Sequence, residues 1–115
     1  KDEIVTEIQV PTPPKGVISS FIKFAIRKSI DFPIVNCAAM IGKGEARICL
    51  NAVHNKPYRC INAEDMIRGK SINESNADST GAAAIEKAKT LPGDRNKWKI
   101  QLARTMVKRA ILGCA

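Results

Sequence analysis

An α+β fold, an antiparallel sheet of three to four strands with about three helices packed on one face, is what this sequence predicts. Apolar residues recur at every second position in the first half and at every third and fourth position in the second half. Proline and glycine punctuate both halves. Strands first and helices afterwards is the order of an antiparallel sheet covered by a helical layer. The 115 residues fit one domain, since a globule of this size buries about 65% of the surface its unfolded chain exposes.

Ile4, Thr6, Ile8 and Val10 alternate with Val5, Glu7 and Gln9, which predicts a strand stopped by Pro11. Residues 11–16 form a proline-rich connector. From Ser19 to Arg27, strand alternation places Phe21, Lys23, Ala25 and Arg27 on one face and Ile22, Phe24 and Ile26 on the other. One face is then dry and the other can meet a polar ligand. Ile34 to Ile41 and Ala46 to Val53 are apolar runs joined by Gly42, Lys43 and Gly44, a β-hairpin pattern. Tyr58 to Ile61 leads out of it.

Asn62, with Asp65 three residues on, predicts the capped start of a short helix carrying Met66 and Ile67 and ended by Gly69. A second helix is expected from about Glu74 to Lys89, with Ala77, Ala84, Ile85 and Ala88 buried and Gly81 weakening it. Pro92 and Gly93 break the chain and Asp94 is the expected cap of a long last helix. On that helix Trp98, Leu102, Met106, Val107, Ala110 and Ile111 form an apolar stripe, with Lys97, Gln101, Arg104 and Lys108 opposite.

Nineteen Lys and Arg against eleven Asp and Glu give a net charge of +8. Such a balance suits a phosphate-bearing or acidic partner, or a surface that partner subunits cover. Cys37, Cys49, Cys60 and Cys114 never stand in a Cys-x-x-Cys arrangement, so neither a zinc knuckle nor a dithiol redox motif is indicated. They read as reduced structural thiols. No secretory signal or membrane-length apolar run is present, which makes a cytoplasmic location the expectation. The chain starts at Lys1, without Met, directly in an alternating segment, so residues are expected to precede it.

Few residues offer chemistry. His54 stands in a turn without an orienting carboxylate near it in sequence. Ser19, Ser20 and Ser29 lack a nucleophile elbow. Gly42-Lys43-Gly44 and Arg68-Gly69-Lys70-Ser71 lack the glycine pattern of a phosphate loop. No catalytic residue and no metal ligand is named. Lys23 differs, because alternation sets its ammonium on the same face as Phe21, where a cation and an aromatic surface can meet a flat, electron-rich ligand.

Three segments in order carry a wider resemblance: Phe21-Ile22-Lys23 followed by Arg27-Lys28-Ser29-Ile30-Asp31-Phe32-Pro33, then Asp94-Arg95-Asn96-Lys97-Trp98, then Val107 to Leu112. Together they resemble the C-terminal domain of the FAD-carrying subunit of molybdenum hydroxylases, the group of xanthine and carbon monoxide dehydrogenases. The resemblance implies that residues 1–16 are the end of a preceding FAD-binding domain with its linker and that 17–115 form the flavoprotein C-terminal domain. It implies cofactor contacts at Val5, Phe21 and Lys23. Phe21 takes the place of an aromatic that is commonly Tyr, so stacking is retained and a hydroxyl-dependent role is not. It implies partners as well: a large subunit with the molybdenum cofactor and a small subunit with 2Fe–2S clusters, which pass electrons to FAD. The glycine-rich segments that hold the FAD pyrophosphate in this family are absent here, so this chain alone is expected to bind FAD weakly or not at all.

Two readings from other classes compete with it. A small basic nucleic-acid-binding domain would use the positive charge and the cationic side of the last helix. Against it, aromatic stacking residues are few and Trp98 falls in the apolar stripe. A structural docking or dimerisation domain would use the same helix and is compatible with the flavin reading.

Overall fold

The structure, a computed structural model, describes residues 2–28, 30–90 and 92–115. Lys1 and Ser29, both named above, lie outside them. The regular elements are β1 (Ile18–Phe24), β2 (Val35–Gly42), β3 (Glu45–Asn51), β4 (Tyr58–Arg59), α1 (Ile61–Ile67), α2 (Glu74–Ile85) and α3 (Lys97–Leu112), with a short 3-10 turn at Pro92–Asp94. The four strands form one antiparallel sheet in the order β1-β2-β3-β4. The α+β architecture expected from the sequence is therefore present.

The β2–β3 hairpin closes through Lys43 and Gly44, whose φ angles of 48° and 77° are both positive. Two left-handed central residues make the tight turn whose twist matches its strands, and glycine supplies the second at no steric cost. Val35, Cys37, Ala39 and Ile41 of β2 and Ala46, Ile48 and Leu50 of β3 are buried on one face. α1 and α3 lie on that face, and α2 packs against both. The core is aliphatic and alanine-rich, as the scarcity of aromatics requires.

α3 buries Ala103, Met106, Val107, Ala110 and Ile111, the three- and four-residue spacing of one helix face. Gly81 sits where α2 crosses α3, and a Cβ there would stand 2.8 Å from the Arg104 carbonyl oxygen. The glycine read as a weakness of α2 is thus what lets the two helices approach.

Several local expectations are corrected. Residues 4–10 form no strand, and Ile4, Val5, Ile8 and Val10 are exposed, because alternation without a neighbouring strand has no ladder to join. β1 ends at Phe24, before Ala25 and Arg27. Asn62 is not a cap: α1 starts after Cys60 without a side-chain cap, and the Asn62 amide donates to Glu86 across 3.2 Å. α2 ends at Ile85 and not near Lys89, and its cap is Asn73, whose side chain accepts from the Asn76 N–H at 2.8 Å. Asp94 accepts from the Thr90 hydroxyl at 2.8 Å, while Asn96 occupies the position before α3. Trp98 leaves the apolar stripe and is 58% exposed, since the first turn of α3 runs past the edge of the core.

Candidate functional site

The face of the sheet opposite the helices is open. Phe21 and Lys23 of β1 both lie on it, with Phe21 64% exposed. Phe21 is opposite Ala38 on β2, Ala38 is opposite Cys49 on β3, and Cys49 is opposite Arg59 on β4. Lys23 is opposite Asn36, which is opposite Asn51. Cross-strand partners share a face, so one row reads aromatic, methyl, thiol, guanidinium, and the next ammonium, amide, amide. Ala38 adds almost no bulk beside the Phe21 ring, which leaves its flank open to a flat ligand.

Beyond β1 the chain turns sharply, and Asp31 holds the turn. Its carboxylate accepts from the Arg27 backbone N–H at 3.2 Å, from Arg27 Nη2 at 3.1 Å and from the Phe32 N–H at 3.0 Å. The Arg27 guanidinium keeps the Asp31 carboxyl below its ordinary range, and the nearby Lys23 charge acts the same way. The loop bonds anchor the end of β1 next to Lys23, and Ile34 N–H donates to the Phe24 carbonyl at 2.8 Å to start β2.

At the far edge, β4 lasts only two residues because the chain enters α1. Cys60 N–H still donates to the Ile48 carbonyl at 2.9 Å, but the Cys60 carbonyl is taken by the Glu64 N–H of the first helical turn at 3.0 Å. Ile48 N–H would be left without its ladder partner. The Glu64 carboxylate replaces that carbonyl, accepting from Ile48 N–H at 2.9 Å, and also accepts a fork of bonds from Arg59 at 2.9 and 2.8 Å. Glu64 is 1% exposed, yet its buried charge is fully paired. The same fork raises the already high pKa of Arg59. Glu64 therefore holds the Arg59 guanidinium at the rim of the open face.

Of the three residues expected to touch a cofactor, Phe21 and Lys23 come together on this face. Val5 lies on the N-terminal segment, 80% exposed. His54 is exposed and tilted against the Tyr58 ring at a centroid distance of 6.3 Å, with no carboxylate bonded to it among the described residues. Gly42 to Gly44 is the hairpin turn, and Arg68 and Gly69 close α1, so neither glycine–lysine segment forms a phosphate loop. The four cysteines are free thiols. Arg47 and Arg59 were not singled out from the sequence, and Cys49 was read only as a structural thiol; their place on the same face as Phe21 follows from strand pairing across loops.

Arg104 and Lys108, expected on a free cationic side of the last helix, are instead tied to α2. Arg104 pairs with Asp78 at 2.7 Å, and Lys108 with Glu74 at 2.7 Å and Asp78 at 3.7 Å. Two cations of the expected nucleic-acid face are thereby committed to holding helices together. Among the described residues no helix is long and apolar enough to cross a membrane.

Comparison with known proteins agrees with this fold. Residues 20–114 match the family of the CO dehydrogenase flavoprotein C-terminal domain. The chain is 25% identical to the xanthine dehydrogenase FAD-binding subunit of Escherichia coli O157:H7, over 96% of this chain and 40% of that protein. It is also 25% identical to the 6-hydroxypseudooxynicotine dehydrogenase complex subunit alpha of Paenarthrobacter nicotinovorans, over 95% and 39%. The chain thus spans about 40% of the length of the curated relatives it matches. Among solved structures, quinoline 2-oxidoreductase from Pseudomonas putida 86 superposes with a TM-score of 0.73 at 30% identity, covering 85% of this chain and 36% of that one. Carbon monoxide dehydrogenase from Hydrogenophaga pseudoflava superposes with a TM-score of 0.77 at 26% identity, covering 91% and 39%. With a family match that runs from within β1 to the end of the last helix, over the same four strands and three helices, this chain belongs to the CO dehydrogenase flavoprotein C-terminal domain family.

Proposed function

We propose that this domain walls one side of the flavin site in the FAD subunit of a molybdenum-containing hydroxylase or dehydrogenase. The observation that carries the reading is the open sheet face, where exposed Phe21 and Lys23 share one side of β1, Phe21 across from the small Ala38 and Lys23 across from Asn36. That pairing suits a planar ring system carrying negative charge: the ring lies against Phe21 and the ammonium of Lys23 reaches its polar edge. Val5 supplies an aliphatic contact from the N-terminal segment. When bound, FAD accepts electrons and passes them to an acceptor. The residues of this chain orient it and keep water from one side, and none of them makes or breaks a bond.

In this reading residues 1–16 are the end of a preceding FAD-binding domain and its linker, and residues 17–115 are the wall. The molybdenum cofactor and the 2Fe–2S clusters belong to a large and a small partner subunit, whose electrons reach FAD beside this domain. The exposed apolar side chains of the N-terminal segment fit burial against the preceding domain.

The first test is the coding sequence upstream of Lys1. Glycine-rich segments able to hold the FAD pyrophosphate, running into the strand-like segment at Ile4, support the proposal; a start codon at this boundary overturns it. The second is flavin content. Phe21→Ala and Lys23→Ala in the parent subunit are expected to lose FAD on gel filtration, whereas unchanged retention in both would refute their assignment. For this chain alone, FAD affinity weaker than about 1 μM is expected, because the pyrophosphate donors are elsewhere.

A further inference from the structure

On the other side of the sheet from Phe21 and Lys23 lies a groove of about 340 Å³ between the end of β3, the C-terminal end of α2 and the first turns of α3. Leu50, Ile85, Ile100 and Ala103 are among the residues that line it and give it an aliphatic floor. His54 and Tyr58, whose rings tilt 44° to one another, form one wall. Lys87, Lys89 and Lys99 also line it, and among the described residues no carboxylate does. None of these three ammonium groups is ion-paired among the described residues, in contrast to Lys108 and Arg104 on the outer side of the same helices.

We infer that this groove is a binding site for a flat organic anion, an aromatic carboxylate or sulfonate of one or two rings. Its volume falls at the lower end of the range of roughly 300–1,000 Å³ found for small-molecule sites. An aliphatic floor with a ring-lined wall favours a planar apolar body. Three unpaired cations around a concavity without acidic residues focus a positive potential into it, which selects a negative head group over a neutral or cationic one. The site shares no residue with the Phe21 and Lys23 face, so it stands or falls independently of the flavin reading.

Naphthoate and its uncharged analogue naphthamide are the probes, titrated into the isotopically labelled chain while backbone N–H resonances are followed. Naphthoate is expected to shift His54, Tyr58, Lys87, Lys99 and Ile100 with a dissociation constant below about 1 mM, and naphthamide to bind about tenfold more weakly or not at all. The double variant Lys87→Glu with Lys99→Glu should lose about tenfold in naphthoate affinity. Ala88→Trp, a substitution at an exposed residue of the lining, should block binding while the rest of the spectrum keeps its dispersion. Equal affinity for the two probes, shifts mapping to the open sheet face, or full binding by the folded Ala88→Trp protein would each overturn the assignment.

Discussion

The two faces of the sheet are built from the same strands and differ in almost everything else. On the helix side, Val35, Cys37, Ile48 and Leu50 are shielded from water, and α1 and α3 close over them. On the other side, Phe21, Lys23, Ala38, Arg47 and Arg59 remain exposed. A strand residue faces one way or the other by position alone, so the contrast separates two selective demands. One face provides stability through burial. The other contributes little to folding, so its aromatic ring and cations are free to serve a ligand or a partner.

The sharpest way to break this contrast is to truncate one residue on each face. Ile48→Ala removes a fully shielded side chain at the centre of the sheet and is expected to cost about 4 kcal/mol, in the upper part of the range for such cavities. Urea denaturation checks it, and a loss below ~1 kcal/mol would show that the helix-side core repacks. The edge comes next. Glu64→Ala leaves Ile48 N–H without an acceptor and Arg59 without its fork, for a loss of about 3 kcal/mol, the low end for a broken buried pair because Arg59 still reaches water. Glu64→Ala should also free the Arg59 guanidinium, detected as faster side-chain N–H exchange.

How much of this contrast could be read from the chain depends on which contacts are local. Alternation and turn chemistry around Lys43-Gly44 were enough to place the β2–β3 hairpin, because its strands are adjacent in sequence. Phe21 and Lys23 were likewise paired by alternation on one strand. The N-terminal segment shows the converse: Ile4 to Val10 alternates like a strand but finds no neighbour, and periodicity carries no information about a partner. Trp98 sits at stripe spacing yet is exposed, since the stripe does not say where the core ends. Glu64 reads as an ordinary acidic residue in a first helical turn. Its role follows from a carbonyl diverted at Cys60, a geometric event that no spacing encodes. Arg104 and Lys108 were placed opposite the stripe, and what that side meets, α2 and its carboxylates, is a tertiary fact.

The thiols sharpen the comparison with a smaller effect. Cys37 faces the helices and Cys49 the open side, on neighbouring strands. Burial pushes the Cys37 and Cys60 thiols from 9.0 up to about 12. Unfolded, they release protons near pH 9.0, whereas the native fold retains them until about pH 12. The native state binds more protons across that window, so its stability is intact below pH 9.0 and falls as pH rises toward 12. Urea midpoints measured upward from neutral pH should fall across that interval, and a Cys37→Ala, Cys60→Ala protein should show a flatter decline. At about pH 8 a disulfide reagent should reach Cys49 first in the folded chain, and all four thiols at similar rates in denaturant. Faster labelling of Cys37 than Cys49 would contradict the assignment of faces.

The smallest expected change is the most informative about function. Phe21→Ala and Lys23→Ala remove side chains that rest on water and on Ala38 and Asn36, so each should alter folding stability by less than about 0.5 kcal/mol. Surface phenylalanines ordinarily raise the risk of association, and their removal from a protein that only needed to fold would be neutral or favourable. If both variants fold as well as the original chain yet weaken flavin retention in the parent subunit, stability and ligand contact reside on opposite faces of one sheet. A loss above ~2 kcal/mol in either variant would instead make the open face part of the core, and would remove the reason for assigning it to a ligand.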